Sequence, residues 1–354
     1  MRAVGFLCGV GSLLWEARAL GFKVVGNVDT RSYFRDGRTW RLNFSAPFHA
    51  RPDVKVKSWY GADLAIGHPP CGSHSILGQT RVARDRPSLD REKFHARRAK
   101  NAGLLPLFGE LVNEYQPKVF ALDNLPKIMT TVAPPEWWEE ALPGYRMTYL
   151  TIMNWDYGSC QTRERLWVIG TKRPLPRFKF APIGRRPPVA ENVWEALDGL
   201  PWEPWRDVRE LTHIHLQPSD RPLDSYWLYH GKKYEITLKS DAAAQGFLRL
   251  PPGYNWPYVS KRGLENRKPG KHRMTMDRAS VFGAKDVYHP LTGWPLTPRE
   301  RARVMGWPDE FRLWDVERWG WTTTNYRRLI VATGKAVPSH FPRWLLPQLK
   351  ALVS

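Results

Sequence analysis

Short apolar segments alternate with amphipathic ones in the first half of the chain, and this alternation limits the possible folds more than any other feature. Residues 2–7 are apolar, residues 11–20 have a helical pattern, and residues 23–28 are apolar again. Two further apolar segments, 63–66 and 118–122, each run into polar residues. Strands that alternate with helices are typical of a parallel sheet covered by helices. The sequence therefore predicts an α/β fold with a mostly parallel sheet.

Differences in composition and pattern along the chain predict three regions. Residues 1–170 continue the alternation, and residues 171–290 are rich in proline and short aromatic segments, which predicts a second, smaller, loop-rich and basic domain. Residues 291–354 are helical again and are expected to return to the first domain. The further predicted elements are a helix at about Ala96–Tyr115, strands near Arg146–Met153 and Arg165–Gly170, and helices at Pro298–Met305, Asn325–Ala332 and Ser339–Val353.

The charge of the chain points to a polyanionic partner. Its 354 residues hold 54 Lys and Arg against 34 Asp and Glu, a formal net charge of +20. Nucleic acid is the favoured partner and a membrane surface a distant second, while a soluble enzyme that is merely basic remains an alternative. Apolar runs are shorter than the ~20 residues of a membrane span, and the N-terminus does not resemble a signal peptide. We therefore expect a cytoplasmic protein.

The cysteines exclude two common classes of site. Cys8, Cys71 and Cys160 are far apart and form no CxxC pair, so the sequence predicts neither a disulfide framework nor a metal site. Cys71 stands out because it follows Pro69 and Pro70 directly after the strand at 63–66. Two prolines restrict the backbone and present the thiol in a fixed position, which suits a nucleophile. An ordinary buried cysteine in a turn is the alternative.

Polar residues at the ends of three other predicted strands suggest a site at one edge of the sheet. A glycine-rich turn, Leu7–Ser12, lies between the first strand and the first helix, where backbone amides can face a polar ligand. Asn27 and Asp29 end the second strand, in a position that suits ribose hydroxyls. Asp123 follows a buried strand and could exchange a proton with a ring nitrogen, although an aspartate in a simple turn is the alternative.

Two guanidiniums, those of Arg163 and Arg165, lie two residues apart, which places them on one face of the strand predicted to begin there. One of them could bind a carbonyl oxygen while the other pairs with Glu164 or a phosphate. A structural ion-pair network explains such a segment equally well.

The order of these motifs resembles the DNA cytosine-5 methyltransferase family over nearly the whole chain. Leu7–Leu14 is similar to the cofactor-binding motif of that family, Gly67–Ser75 to its Pro-Cys motif, and Asp123–Leu125 to its Glu-Asn-Val motif. Further similar segments are Asp156–Arg165, Leu296–Glu300 with Gly306–Phe311, and Gly334–Pro338. The resemblance implies a Rossmann-like methyltransferase fold, with catalytic and cofactor-binding residues in 1–170 and a target recognition domain in 171–290.

The resemblance also implies roles for individual residues. Cys71 would add to C6 of a cytosine flipped out of double-stranded DNA, with Asp123 near N3 and Arg165 near O2. The expected catalytic residues are Cys71, Asp123, Arg163 and Arg165. Those expected to bind S-adenosylmethionine are Leu7, Cys8, Gly9, Gly11, Asn27, Asp29, Asp63, Pro70, Lys335, Ala336 and Val337. Those expected to contact DNA are Ser75, Arg81, Arg84, Arg97, Arg98 and Gln161.

Several positions depart from the family pattern. Asn27 replaces a ribose-binding glutamate, Leu7 an aromatic residue, Gly5 an aspartate, and Asp123 a glutamate that is one methylene longer. Gly72 stands where a glutamine is common. Lys335 replaces the asparagine of the last motif, which suggests carboxy-S-adenosylmethionine as the cofactor and carboxymethyl transfer to C5; a lysine that faces solvent or a DNA phosphate is the alternative.

Two other functions remain open at this point. Asn27 and Asp123 are also compatible with a catalytically silent DNA-binding relative, and one branch of the family modifies tRNA. The large segment 171–290 favours DNA. We expect a monomer that needs no metal or membrane and acts in the cytoplasm of a bacterial or phage-infected cell.

Overall fold

Seven strands form one sheet among the residues that the computed structural model describes, namely 1–30, 37–69, 104–161, 163–181, 196, 298–319 and 323–354. The strand order is β3-β2-β1-β4-β5-β7-β6. Strands β1 to β5 are parallel, whereas β7 runs antiparallel to both β5 and β6. The strands are β1 (Arg2–Phe6), β2 (Lys23–Val28), β3 (Phe48–His49), β4 (Leu64–Gly67), β5 (Val119–Asn124), β6 (Tyr145–Met153) and β7 (Glu164–Lys172). The predicted α/β fold with a mostly parallel sheet is confirmed.

Helices connect and follow these strands. They are α1 (Ser12–Ala19), α2 (Arg38–Asn43), α3 (Leu104–Tyr115), α4 (Ile128–Thr131), α5 (Pro135–Ala141), α6 (Pro298–Val304), α7 (Val316–Trp319), α8 (Thr323–Lys335) and α9 (His340–Val353). The beginning of the helix predicted at Ala96 lies outside the described residues. Helix α8 is three residues longer at its C-terminal end than predicted, so Gly334 and Lys335 lie in its last turn rather than in a loop. Glycine costs a helix only about 1 kcal/mol, which packing readily offsets.

The sheet brings the ends of several strands to one edge. Strand β1 pairs with both β2 and β4. Strands β2 and β3 are added on one side of β1, and β4 and β5 on its other side, so the strand order reverses between β1 and β4. Ligands of open α/β sheets bind outside the carboxyl ends of the strands at such a reversal. Because β7 is antiparallel, its amino end lies at this same edge, next to the carboxyl end of β5.

Aromatic side chains fill the core beside the central strands. Phe108 of α3 makes edge contacts with Phe6 of β1 and Phe120 of β5, at ring-centroid distances of 6.2 and 5.7 Å. Strands β4 and β5 are buried along their whole length, as expected of strands covered on both faces. Tight packing here fixes the positions at which β4 and β5 end.

The C-terminal helix α9 is held against α1. Arg343 pairs with Glu16 at 3.2 Å, and Lys350 Nζ donates a hydrogen bond of 2.8 Å to the carbonyl of Leu20. Phe341 lies against Trp167 of β7, with 5.3 Å between ring centroids. These contacts make α9 part of the same compact unit as the sheet.

Two compact units divide the chain. The first comprises Met1–Met153, Glu164–Gly184 and Phe341–Ser354, and the second comprises Asn154–Arg163 and Arg185–His340. Most of segment 171–290 lies outside the described residues, so the domain boundaries at 170 and 290 stay a prediction.

Gly67 at the end of β4 has no room for a side chain. A Cβ atom there would lie 2.2 Å from Cε2 of Phe108 and 2.9 Å from the carbonyl oxygen of Phe6. We expect Gly67→Ala to lower the free energy of unfolding by about 3 kcal/mol, because neither neighbour can move without disturbing the core. Urea unfolding measures this change. Gly144→Ala is the matched control, because nothing lies within 4 Å of its added Cβ; an equal loss in both variants would contradict the prediction.

Candidate active site

A buried group of three ionisable side chains lies at the edge of the sheet where β4, β5 and β7 meet. Oδ2 of Asp123 is 2.8 Å from Nδ1 of His68 and 3.6 Å from Nε of Arg165. Asp123 is fully buried, and His68 and Arg165 are only 4% and 2% exposed. A buried carboxylate needs such neighbours, because an unpaired charge away from water is costly.

The strand register explains why these three side chains meet. Gly67 pairs with Leu122 in the parallel β4–β5 ladder, so the next residues, His68 and Asp123, are neighbours. Arg165 enters the group from the antiparallel strand β7, where its Nη1 also donates a 2.8 Å hydrogen bond to the carbonyl of Glu164. The structure therefore brings Asp123 and Arg165 together, as a shared catalytic role requires.

Asn124 connects this group to the chain that leads towards Cys71. Its Nδ2 donates a 3.3 Å hydrogen bond to the carbonyl of Pro69, and its Oδ1 accepts one of 2.8 Å from the amide of Leu125. Pro69 precedes Cys71 by two residues. Asn124 thus holds the start of the Pro-Pro-Cys segment at the edge where Asp123 lies.

The glycine-rich turn after β1 has an unusual backbone. Leu7, Gly9 and Gly11 have φ values of 60°, 64° and 90°, which is the left-handed region that only glycine adopts freely. Leu7 is fully buried and Cys8 is 6% exposed. A backbone of this shape exposes little side chain and lets a ligand approach the main chain closely.

Asn27 and Asp29 hold this turn in place. Nδ2 of Asn27 donates a 3.0 Å hydrogen bond to the carbonyl of Gly9, and the amide of Gly9 donates one of 2.8 Å to Oδ2 of Asp29. Both side chains are fully buried. The geometry therefore assigns them to shaping the turn, and the expected direct contact of Asn27 with ribose hydroxyls has no support in it.

Gly5 makes room for Asn27. A Cβ atom at Gly5 would lie 2.5 Å from Oδ1 of Asn27, too close for any real contact. The two departures from the family pattern at these positions are therefore linked, since a larger residue at position 5 would displace the amide that holds the turn.

A polar atom without a hydrogen-bond partner lies near Asp29. Nε2 of His49 is buried and has no partner among the described residues, and the carbonyl of His49 accepts a 2.9 Å bond from the amide of Asp29. Burial lowers the pKa of His49, so its ring is neutral at pH 7 and offers one donor and one acceptor. Together with the open backbone of the turn, this atom fits a polar nucleoside such as that of S-adenosylmethionine.

Asp63 lies at the amino ends of the parallel strands, at the opposite end of the sheet from Asp123. Its carboxylate accepts a 2.6 Å hydrogen bond from the amide of Arg2 and pairs with Nζ of Lys118 at 2.7 Å. These residues precede or begin β4, β1 and β5, so they mark the amino ends of the parallel strands. In this placement Asp63 joins the beginnings of three strands, and its expected contact with the cofactor has no support in the geometry.

Two residues predicted near the catalytic group belong to the second unit. Gln161 is fully buried, and its Nε2 donates a 2.7 Å hydrogen bond to the carbonyl of Val304. The expected contact of Gln161 with DNA stays a prediction. Arg163 is 2% exposed, and its Nη1 lies 3.8 Å from Sδ of Met305. Because Arg163 precedes β7, it does not share a face of that strand with Arg165, contrary to the prediction.

The expected cofactor residues of the last motif also lie in the second unit. Lys335 is half-buried and ends α8. Ala336 and Val337 are buried, and the carbonyl of Val337 accepts a 3.4 Å hydrogen bond from Nε1 of Trp307. The remaining predicted site residues lie outside the described residues: Pro70, Cys71, Ser75, Arg81, Arg84, Arg97 and Arg98.

Three residues at this edge were not identified from the sequence: His49, His68 and Asn124. His68 was visible in principle, because it follows β4 as Asp123 ends β5, and parallel neighbours place such residues side by side. Nothing in the sequence indicated how the His49 ring would be oriented.

Among the described residues, no group of three or more His, Cys, Asp or Glu side chains is placed to hold a metal ion. Within the same ranges, no helix combines the length and apolar character that a membrane crossing requires.

Comparison with known proteins gives a consistent family. The family described as C-5 cytosine-specific DNA methylase matches residues 1–340. The chain is 24% identical over 326 residues to the type II methyltransferase M.MthTI of Methanothermobacter thermautotrophicus, covering 88% of each chain. It is 22% identical over 331 residues to M.FnuDI of Fusobacterium nucleatum, covering 89% of this chain and 86% of that relative.

Solved structures share the fold at low sequence identity. A prophage-encoded protein of E. coli, solved as a candidate DNA modification methyltransferase, aligns with a TM-score of 0.64 and 20% identity over 99% of both chains. The Entamoeba histolytica methyltransferase EhMeth aligns with a TM-score of 0.60 and 12% identity over 99% of this chain and 98% of its own. The Rossmann-like fold predicted for the catalytic region is therefore confirmed.

Proposed function

Because this chain belongs to the C-5 cytosine-specific DNA methylase family, we propose that it methylates C5 of cytosine in double-stranded DNA after Cys71 has added to C6. The observation that supports this mechanism most is the buried contact of Asp123 with Arg165 at the edge of the sheet to which Asn124 holds Pro69. The proposed cofactor, S-adenosylmethionine, supplies an electrophilic methyl group on a sulfonium.

The proposed chemistry assigns one task to each residue. C5 of cytosine is a weak nucleophile, and addition of the Cys71 thiolate to C6 makes the ring electron-rich at C5. Negative charge then develops at N3 and O2, where a protonated Asp123 donates to N3 and the Arg165 guanidinium stabilises O2. After methyl transfer to C5, loss of the C5 proton to water lets the Cys71 sulfur leave C6, and return of the N3 proton to Asp123 restores the ring, the acid and the thiolate.

Access to the base requires that it leave the double helix. Flipping a base costs a few kcal/mol of stacking and pairing, which contacts with the phosphates would offset. The basic residues expected to make such contacts, Arg81, Arg84, Arg97 and Arg98, belong to a twenty-residue segment, 81–100, with eight Lys and Arg against three Asp and Glu. The overall charge of +20 supports the same partner.

Mass spectrometry of nucleosides tests the proposal. DNA from cells that express the chain should contain 5-methylcytosine, and purified protein should modify duplex DNA in preference to tRNA. Wild-type protein that binds DNA but forms no covalent adduct with 5-fluorocytosine DNA would instead identify a silent binder. A preference for tRNA would identify an RNA-modifying enzyme.

Replacement of Lys335 tests which of two cofactors the protein uses. We expect the wild type to use S-adenosylmethionine and Lys335→Asn to change this rate less than fivefold, because a cation at the end of α8 interacts favourably with the last carbonyls of a helix. A bond from Lys335 to the extra carboxylate of carboxy-S-adenosylmethionine would give roughly ten- to hundredfold selectivity for that cofactor. Rates with both cofactors measure this: faster carboxymethyl transfer by the wild type, lost in Lys335→Asn, would contradict our expectation.

A further inference from the structure

His68 approaches Asp123 through its Nδ1 atom. Its Nδ1 lies 2.8 Å from Oδ2 and 3.2 Å from the backbone carbonyl oxygen of the same residue. Arg165 also approaches Oδ2, with its Nε at 3.6 Å. Oδ2 is therefore the carboxyl oxygen of Asp123 that lies nearest to both neighbours.

Nδ1 of His68 lies near two acceptors, the backbone carbonyl oxygen and Oδ2 of Asp123. With its proton on Nδ1, the ring is aligned with the carbonyl oxygen, and the shorter contact to Oδ2 is electrostatic rather than an aligned hydrogen bond. Neither carboxyl oxygen of Asp123 has an aligned partner among the described residues, although both are buried. A small rotation of the ring would complete a bond to Oδ2.

An aspartate at this position needs such a neighbour. The terminal torsion of an aspartate side chain has a broad, two-fold preference, so packing alone does not select which oxygen faces a ligand. A group that holds Oδ2 leaves Oδ1 directed away from the pair. Orientation of a reacting group within a fraction of an ångström is worth large factors in rate.

We propose that His68 is a positioning residue that holds Oδ2 of Asp123 through its Nδ1–H, so that Oδ1 is presented to the cytosine ring. The proposal rests on the proposed function, because it concerns the orientation of the acid used there. It assigns to His68 no direct contact with the base. The simpler alternative is that His68 only joins β4 to β5 through the carbonyl bond.

A double-mutant cycle separates these two roles. We expect His68→Ala to lower kcat for methyl transfer ten- to hundredfold, while KM for DNA and for S-adenosylmethionine changes less than twofold. In the Asp123→Asn background, His68→Ala should change the residual rate less than twofold, because the group that it orients is already lost. The proposal would be overturned if His68→Ala lowered the rate by the same factor in both backgrounds. It would also be overturned if the single variant His68→Ala kept a kcat within twofold of the wild type.

Two amide replacements keep the test decisive if His68→Ala does not fold. The amide nitrogen of asparagine occupies the place of Nδ1, whereas that of glutamine occupies the place of Nε2. We expect His68→Asn to retain kcat within fivefold of the wild type and His68→Gln to lose at least tenfold at equal melting temperature. The reverse order would overturn the proposal. If the wild type itself transfers no methyl group to cytosine, the proposed function fails and this inference fails with it; an active wild type with an additive cycle removes the inference alone.

Discussion

Replacement of Cys71 by serine is expected to abolish both methyl transfer and the covalent adduct with 5-fluorocytosine DNA. A thiol of ordinary acidity is a few per cent thiolate at pH 7, whereas a serine hydroxyl is a far weaker nucleophile without a dedicated base. The rate should fall roughly 10³-fold or more, as removal of an essential nucleophile usually does. Denaturing gels of the protein with 5-fluorocytosine DNA measure the adduct, because fluorine at C5 blocks the elimination that releases the sulfur.

The matched control is Cys160→Ala, which removes a fully buried thiol of the second unit. This variant should form the adduct at the wild-type rate. An adduct that persists in Cys71→Ser, or disappears in Cys160→Ala, would show that a different residue attacks the base.

Asp123→Asn is expected to lower kcat by about 10²- to 10⁴-fold, the range for loss of a positioned general acid. Asparagine has nearly the same shape, but it cannot give a proton to N3 of the ring. Adduct formation should slow by the same factor, because the charge that develops at N3 during attack is no longer neutralised. Affinity for DNA, measured by fluorescence anisotropy, should change little.

An ion pair with a buried carboxylate elsewhere in the first unit supplies the control for stability. Glu16 is 7% exposed and pairs with Arg343 at 3.2 Å, so Glu16→Gln also removes one charge from such a pair. We expect it to lower the melting temperature without lowering kcat. A rate for Asp123→Asn within tenfold of the wild type would contradict the role of Asp123 as the acid.

Much of the fold could be predicted from local patterns. Strand β2 was predicted with its observed bounds, Lys23–Val28, and the ends of β1 and β4 differ by one residue. Buried parallel strands are continuous apolar runs bounded by glycine or polar residues, so their pattern survives without knowledge of their neighbours. Helix α8 was predicted too short at both ends, because packing offset the unfavourable propensity of Gly334.

The candidate site was only partly predictable. Asp123 and Arg165 were identified from motif order, and the structure places them in contact. Motif order gave no indication that Asp63 lies at the amino end of β4 or that Gln161 is buried against the carbonyl of Val304, because a motif gives the position of a residue along the chain but not the edge or depth at which its side chain lies. Asn27 was expected to bind a ligand, yet it binds the turn of its own chain.

The sequence by itself determined the family, the α/β fold and the thiol expected to attack the base, because each depends on the order and type of nearby residues. Only the tertiary structure decided which side chains surround Asp123. Residues 68, 123 and 165 are far apart along the chain, and the ladder that pairs Gly67 with Leu122 and Asn124 with Leu166 is what brings them together. Strand register is a property of the whole sheet, and the continuous apolar runs of β4 and β5, which are buried along their whole length, do not fix it on their own.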